Sequence, residues 1–362
     1  MNSTETFEFN FQNFDSSLKD HVLHLISQLY SFSDMPRKRV EDILNLTTQF
    51  FNMTAISKLQ RFNKPFENFD SEYHTFKELV KTGNFIKPKK YVLGEKDKVK
   101  RVHGVLKLCR VPITAQFIPI RHVLTRLFRN PEIFQKTISY ISCLENDSAP
   151  LCTNIIQASF WKELKTIYSS KIVLPLIMFF DDFENNNPLG SNSRIGKCGA
   201  IYISIPCLPP EFQSKLENIF LFVLFNTADK KQLNNAIIFN AVIKELQFLE
   251  SDGILVSFNN VEQRIYFKLV LIIGENLGLH SIVGFVEGVT APYPCRFCLI
   301  NKSLIKTVFH ERSCILRNVD NYEEQINLNN CSLTGIKELC CFHKLKVFML
   351  QKMYLLTLCM NY

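Results

Sequence analysis

The sequence predicts an α/β fold, in which a mainly helical N-terminal region leads into a sheet of largely apolar strands. Three observations carry this. Two N-terminal stretches repeat apolar residues at spacings of three and four, and residues 172–180 (IVLPLIMFF) form an unbroken apolar run of strand length. From about residue 150, three such strands are followed by a helical period and then another strand. A chain of 362 residues has room for about two domains. With 46% hydrophobic and 21% charged residues it can bury a core, which excludes wholesale disorder.

No apolar run approaches the roughly 18 residues needed to span a bilayer, so no membrane partner is expected. The start, MNSTETFEFNF, has neither a basic n-region nor an apolar h-region. A nuclear or cytoplasmic location is therefore expected rather than secretion. Twelve cysteines are then expected as reduced thiols or metal ligands, not as a disulfide framework.

Residues 1–62 read as a helical region. Leu18, Val22, Leu23, Ile26 and Leu29 form one stripe, and Val40, Ile43, Leu44, Phe50 and Phe51 form a second after the break at Pro36. Two readings stay open for the pair: an ordinary packing hairpin, the commoner one, and a helix-turn-helix that reads DNA. Residues 63–111 are polar and weakly periodic, and read as a basic linker or arm. Within it, Lys87, Lys89, Lys90, Lys96, Lys98, Lys100 and Arg101 crowd against only Glu95 and Asp97. Together with a net charge of +8, this belt suggests a polyanion, most often nucleic acid; a solvated loop is the other reading. Residues 112–150 read as helical, with Val123, Leu124 and Leu127 as the stripe.

Residues 151–290 change character. The run at 172–180 stops abruptly at Asp181-Asp182 and a dense turn signal follows. Residues 200–205 (AIYISI) and 218–225 (NIFLFVLF) are the next strands. A helix spans about 231–251, with Ile238, Val242, Leu246 and Leu249 on one face and Gly253 as its stop. Residues 254–258 and 264–273 make a hairpin that runs into Gly274-Glu275. Strands apolar throughout are usually buried on both faces, and α/β sheets place their sites at the carboxyl ends of such strands. Three strands, a helix and a strand is the arrangement of a ribonuclease H-like core, whose two central parallel strands would make Asp181 and Glu275 neighbours. An acidic pair there can hold Mg²⁺ with retained water and substrate phosphate. The alternative for each is an ordinary loop carboxylate.

Several motifs then carry a resemblance. Asp-Asp-Phe-Glu-x-Asn-Asn-Pro-Leu-Gly (181–190) and Ile-Pro-Cys-Leu-Pro-Pro-Glu-Phe (205–212) are followed by Glu245-Leu-x-x-Leu-Glu-x-x-Gly253. Gly274-x-Asn-x-Gly-Leu-x-Ser-Ile-x-Gly-Phe285 and Cys295-x-x-Cys298 complete the series. In this order, over residues 100–347, they resemble the transposase of CACTA-like (En/Spm-type) DNA transposons, in its divergent animal branch. The resemblance implies metal-dependent DNA strand cleavage and transfer as the ancestral activity, with double-stranded DNA as partner; self-association is left open. It makes Asp181 the first catalytic carboxylate and puts Glu275 where the second, normally Asp, would stand. That Glu is one methylene longer, a departure that lowers the expectation of activity. The alternative function is a retained DNA- or protein-binding module.

Residues 291–347 are rich in Cys and His. Cys295, Cys298, His310 and Cys314 have a Cys₂HisCys spacing suited to Zn²⁺, with Cys331, Cys340, Cys341 and His343 competing for the last two places; two unligated thiols is the other reading of the CxxC pair. Residues 348–362 (FMLQKMYLLTLCMNY) are apolar on all sides. Back-translated and shifted by one base, they read F-H-V-T-E-N-V-S-V-D-I-M-H-E-L, which resembles the Asp-Ile-Met-His segment the family has next. A frameshift ending the authentic frame at residue 347 is the expectation, with the third carboxylate lost beyond it and Asp320, Glu323 and Glu324 merely solvated.

Overall fold

The N-terminal helices form as their periodicity requires. In the computed structural model α1 spans Phe11–Ser31 and α2 spans Arg37–Met53, and α3, Glu72–Lys81, is capped by the Ser71 hydroxyl accepting the His74 amide. The structure describes residues 11–32, 34–53, 71–147, 152–184, 197–213, 215–230, 232–258, 261–288, 290–346 and 348. Two compact units divide the chain, Met1–Lys87 and Pro88–Tyr362. In the first, Val22, Leu23, Ile26, Val40, Leu44 and Leu79 make a small closed core. Ion pairs Arg37–Glu72 (2.6 Å) and Lys19–Glu78 (3.4 Å) bind α3 to the other two helices. The side chains of Phe50 and Phe51 lie outside the described residues.

The second unit is mixed α/β, built on an open seven-stranded sheet of order β1-β2-β5-β4-β3-β7-β6. Its strands are β1 Lys89–Val102, β2 Val105–Phe117, β3 Ile172–Glu184, β4 Lys197–Ser204, β5 Phe220–Asn226, β6 Ile254–Phe258 and β7 Val261–Gly274. Strands β3, β4 and β5 form an antiparallel meander, and β7 returns parallel to β3. Helices α4 (Ile120–Phe128), α5 (Pro131–Asn146) and α6 (Ser159–Ile167) precede β3; α7 (Pro210–Gln213) follows β4. Short α8 (Thr227–Lys230) and α9 (Asn235–Ile238) lead from β5 into α10 (Asn240–Ser251), and α11 (Asn276–Val283) follows β7. Helices α12 (Val319–Leu328) and α13 (Cys331–Thr334) lie in the Cys-rich segment.

The five strands read from sequence between residues 172 and 273 all form. So does the helix ending at Gly253, whose N–H returns to the Phe248 carbonyl (3.0 Å); it is divided in two at Phe239. Val242, Leu246 and Leu249 are buried against the sheet.

The basic segment differs from the reading. Instead of a linker or arm without structure, residues 89–117 form a long hairpin, and residues 112–117, expected as helix, are its second strand. The turn Val102-His103-Gly104-Val105 has positive φ at both central positions (51° and 81°), as a two-residue type I′ connection needs. The strands escape a reading based on buried periodicity because their outer two-thirds bury nothing.

The motif at 245–253 does structural work. Glu245, 5% exposed, takes the Arg121 backbone N–H (2.9 Å), Nε–H (2.8 Å) and Nη2–H (2.5 Å). The Arg121 guanidinium also lies 3.5 Å over the Phe248 ring, so α4 is tied to α10 by one charged clamp. Glu250 on the same helix accepts the Lys346 amide at 3.0 Å. Phe342 stacks on Phe239 (5.6 Å), and Phe348 packs edge-on against Phe342 (5.9 Å). Phe348, expected as the start of a tail without a core, is therefore buried at 2% exposure; the shifted frame also begins with Phe. Residues 349–362 lie outside the described residues.

Glu245→Ala leaves the Arg121 guanidinium without its carboxylate in a largely buried place. Urea denaturation should show a loss of about 3 kcal/mol, with Glu245→Gln intermediate. A change below about 0.5 kcal/mol, the range of ordinary surface substitutions, would count against the clamp.

Candidate functional site

The sheet register builds the candidate site. Strand β3 pairs with β7 from Ile172↔Ile265 to Phe180↔Gly274, with one irregularity at Leu176/Ile177. Asp181 follows within β3, and Glu275 is the residue after the end of β7. Adjacent strands lie about 4.8 Å apart, so the pair Phe180↔Gly274 brings the backbone of the two residues that follow it near one another at the carboxyl ends of β3 and β7. Asp181 is half-buried; Glu275 is exposed and is the extended residue preceding α11 (φ −63°, ψ 143°). Carboxylate oxygens are donors that suit part of a Mg²⁺ shell, water and phosphate supplying the rest. Asp320, Glu323 and Glu324 are exposed on α12.

Asp182 points to the opposite face from Asp181, as strand alternation requires. Its Oδ1 accepts the Thr227 hydroxyl (3.0 Å). Beside it Lys230 donates to Ser281 Oγ and lies 5.5 Å over the Phe180 ring. Burial lowers the Lys230 ammonium below the usual lysine range, while Glu287 and Asp182 partly restore it. For Glu287 burial acts upward, but the hydrogen bond and charge of Lys337, with Lys230 behind them, bring it below the usual carboxylate range. Sequence reasoning missed Thr227 and Lys230. They sit in one turn of helix directly after β5, and only the strand order puts them beside Asp182.

Next to Glu275, Asn276 accepts Arg296 Nη1–H (2.9 Å), which links the start of α11 to the CxxC turn. A cleft of about 490 Å³ lies there, lined by Asn276, His280, Glu287, Cys295, Arg296 and Phe297 among others. Phe297 N–H donates to Cys295 Sγ at 3.3 Å. The Cys298 thiol hydrogen-bonds Cys295 and, with backbone N–H groups, pulls its thiol down to about 6 against the opposing effect of burial. Cys298, holding the shared proton, is pushed up. Arg317, 2% exposed, organises the segment: Nε donates to the Cys295 carbonyl (3.2 Å), Nη2 to the Thr334 carbonyl (2.7 Å), and the guanidinium covers Phe285.

Of the four zinc candidates, Cys295 and Cys298 are thus in contact. Cys298 bridges to Leu316, which brings Cys314 into electrostatic range. Cys314 itself turns to the His310 carbonyl (3.9 Å). Among the described residues no three His, Cys, Asp or Glu side chains are grouped to hold a metal ion. Cys340 and Cys341 are buried thiols, and burial pushes the first up to about 12. Of the seven cations read as a nucleic-acid surface, Lys89, Lys90, Lys96, Lys98, Lys100 and Arg101 lie on β1, whereas Lys87 ends the first unit. Among the described residues no helix is long and apolar enough to cross a membrane. No protein-family model matches this chain, and no curated protein matches it.

A thiol held near 6 is mostly thiolate at neutral pH. In metal-free protein, iodoacetamide should modify Cys295 first, with a rate that rises through pH 6 and levels off by about 7. Cys298→Ala removes the donor, so the Cys295 rate at pH 6.5 should fall about tenfold. An unchanged profile would dissociate the two thiols.

Proposed function

We propose that the chain is a transposase-derived protein with a ribonuclease H-like core, whose ancestral chemistry is metal-dependent cleavage and transfer of DNA strands, and that cleavage is lost in this chain. One observation carries the reading: β3 and β7 pair in parallel up to Phe180↔Gly274, the residues directly before Asp181 and Glu275. The meander order β5-β4-β3 with β7 parallel to β3 supports it; β6, antiparallel on the outside of β7, is a departure. Bound there, Mg²⁺ would activate a water or 3′-hydroxyl and stabilise the leaving oxygen. The residues themselves position it and hold its charge. The longer Glu275 displaces one ligand, in a site that tolerates displacements of about an ångström poorly.

Mn²⁺ titration followed by electron paramagnetic resonance tests the site apart from activity. Binding should weaken at least about tenfold in Asp181→Asn and in Glu275→Gln, and plasmid nicking should not exceed that of Asp181→Asn. Mn²⁺ binding indifferent to both substitutions removes the site; nicking abolished by Asp181→Asn shows a retained enzyme.

A DNA- or protein-binding module with a zinc knuckle is the second reading, favoured by the Cys295–Cys298 contact. Purified full chain should then carry about one Zn²⁺ and lose it in the Cys295→Ser/Cys298→Ser variant. Metal content unaffected by that variant leaves the pair as ordinary thiols.

A further inference from the structure

The outer part of the β1–β2 hairpin stands beyond the sheet. Strand β2 meets β5 only at Gln116 and Phe117, and β1 is the sheet's edge. Among residues 97–110 no described side chain is buried. The six pairs from Asp97↔Arg110 to Val102↔Val105 make a ribbon about 20 Å long at ~3.4 Å per residue.

Its two faces differ. Lys96, Lys98 and Lys100 alternate along β1 on one face, and Lys107 joins them by pairing directly with Lys100. Like charges directly opposite each other destabilise a hairpin. The nearby acids are used on the other face, where Asp97 pairs with Arg110 and Glu95 lies 3.5 Å from the Arg110 guanidinium. At the ribbon's base Asp229 on α8 takes Lys96. Among the described residues no carboxylate reaches Lys98, Lys100 or Lys107. Arg101 shares the opposite face with Val99, Leu106 and Leu108, the last two 67% and 69% exposed.

We infer that this ribbon is a duplex-DNA contact whose working surface is the single face carrying Lys98, Lys100 and Lys107. The inference rests on the reading of the chain as a DNA-binding protein and narrows its contact to three residues, one of them outside the basic belt. A polyanion relieves the repulsion built into the face. A two-stranded ribbon is one of the two elements the roughly 12 Å major groove admits, and lysines about 6.8 Å apart along a strand contact phosphates by charge alone. A lipid surface fits less well, because it would have to meet cationic and apolar side chains together, and here they are on opposite faces.

The test is fluorescence-anisotropy titration of a labelled 20-base-pair duplex with the full chain over a series of salt concentrations. In Lys98→Gln/Lys100→Gln/Lys107→Gln the slope of log affinity against log salt should fall by about 3, since each phosphate contact contributes about 0.9. Arg101→Gln on the other face should leave the slope within about 0.5 of the unaltered protein, below the value of one contact. Thermal unfolding should be unchanged or shifted upward in the triple variant, because repulsion is removed, so lost binding is not lost folding. An unchanged slope in the triple variant overturns the proposal, as does an equal loss from Arg101→Gln. Binding to anionic vesicles through these lysines, without binding to duplex, also overturns it. The Mn²⁺ titration at Asp181 and Glu275 is independent of these lysines, so failure of the ribbon and failure of the metal site are read separately.

Discussion

A side chain at Gly274 would place its Cβ 2.4 Å from the Phe180 carbonyl oxygen. The two central strands therefore approach, at their carboxyl ends, more closely than any other residue allows, and much of the second unit depends on that closeness. It sets the register that ends at Phe180↔Gly274, directly before Asp181 and Glu275. It also starts α11 where Gly278 can slide over the Phe180 ring, 3.0 Å from the position a Cβ would take. Phe180 in turn stacks on Phe225 and lies beneath Lys230. The carboxyl ends of β3 and β7, the Lys230 cluster and the cleft beside Asn276 are thus all hung from one backbone contact.

The apolar strands were legible because central strands buried on both faces need no alternation, and length with flanking turns identifies them. Residues 174–178 and 267–272, buried without a break, show this directly. The parallel pairing of β3 with β7 was legible too, since a parallel return needs only the order of elements. What could not be seen is what tertiary contact alone creates. Thr227 and Lys230 have no local pattern, and Arg317 looks like a surface cation until its three backbone and side-chain partners are assembled around it. The hairpin at 89–117 was misread for the opposite reason: its alternation is real, as Leu106 and Leu108 show, but it faces solvent, and a high lysine content mimics a linker.

Motif residues fall into two physical kinds. Glu245, Leu246, Leu249, Glu250 and Gly253 bind α4, the sheet and the segment around Lys346 to one helix, so their pattern is that of a packing unit. Cys207, wholly buried with its thiol pushed up by burial, and the Pro206 carbonyl, which receives Asn154 and Gln213, do the same after β4. Asp181, Glu275 and Cys295 are different. Cys295 lines the cleft beside Asn276, Glu275 is exposed and Asp181 half-buried, and they make few demands on the fold. A residue's place in a shared motif does not by itself say to which kind it belongs.

The ribbon has a further consequence, for how copies of the chain meet. Along β1 and along residues 105–115 of β2, the outer edges have no strand partner among the described residues and offer the backbone donors and acceptors by which strands of separate molecules add to one another. Lysines on such an edge keep copies apart by charge, the usual way natural edge strands resist this. The barrier is electrostatic and so conditional, because an anion that neutralises the lysine face also removes what holds two ribbons apart. Solubility of the free chain and crowding of chains on a polyanion are, in this geometry, opposite settings of the same row of charges.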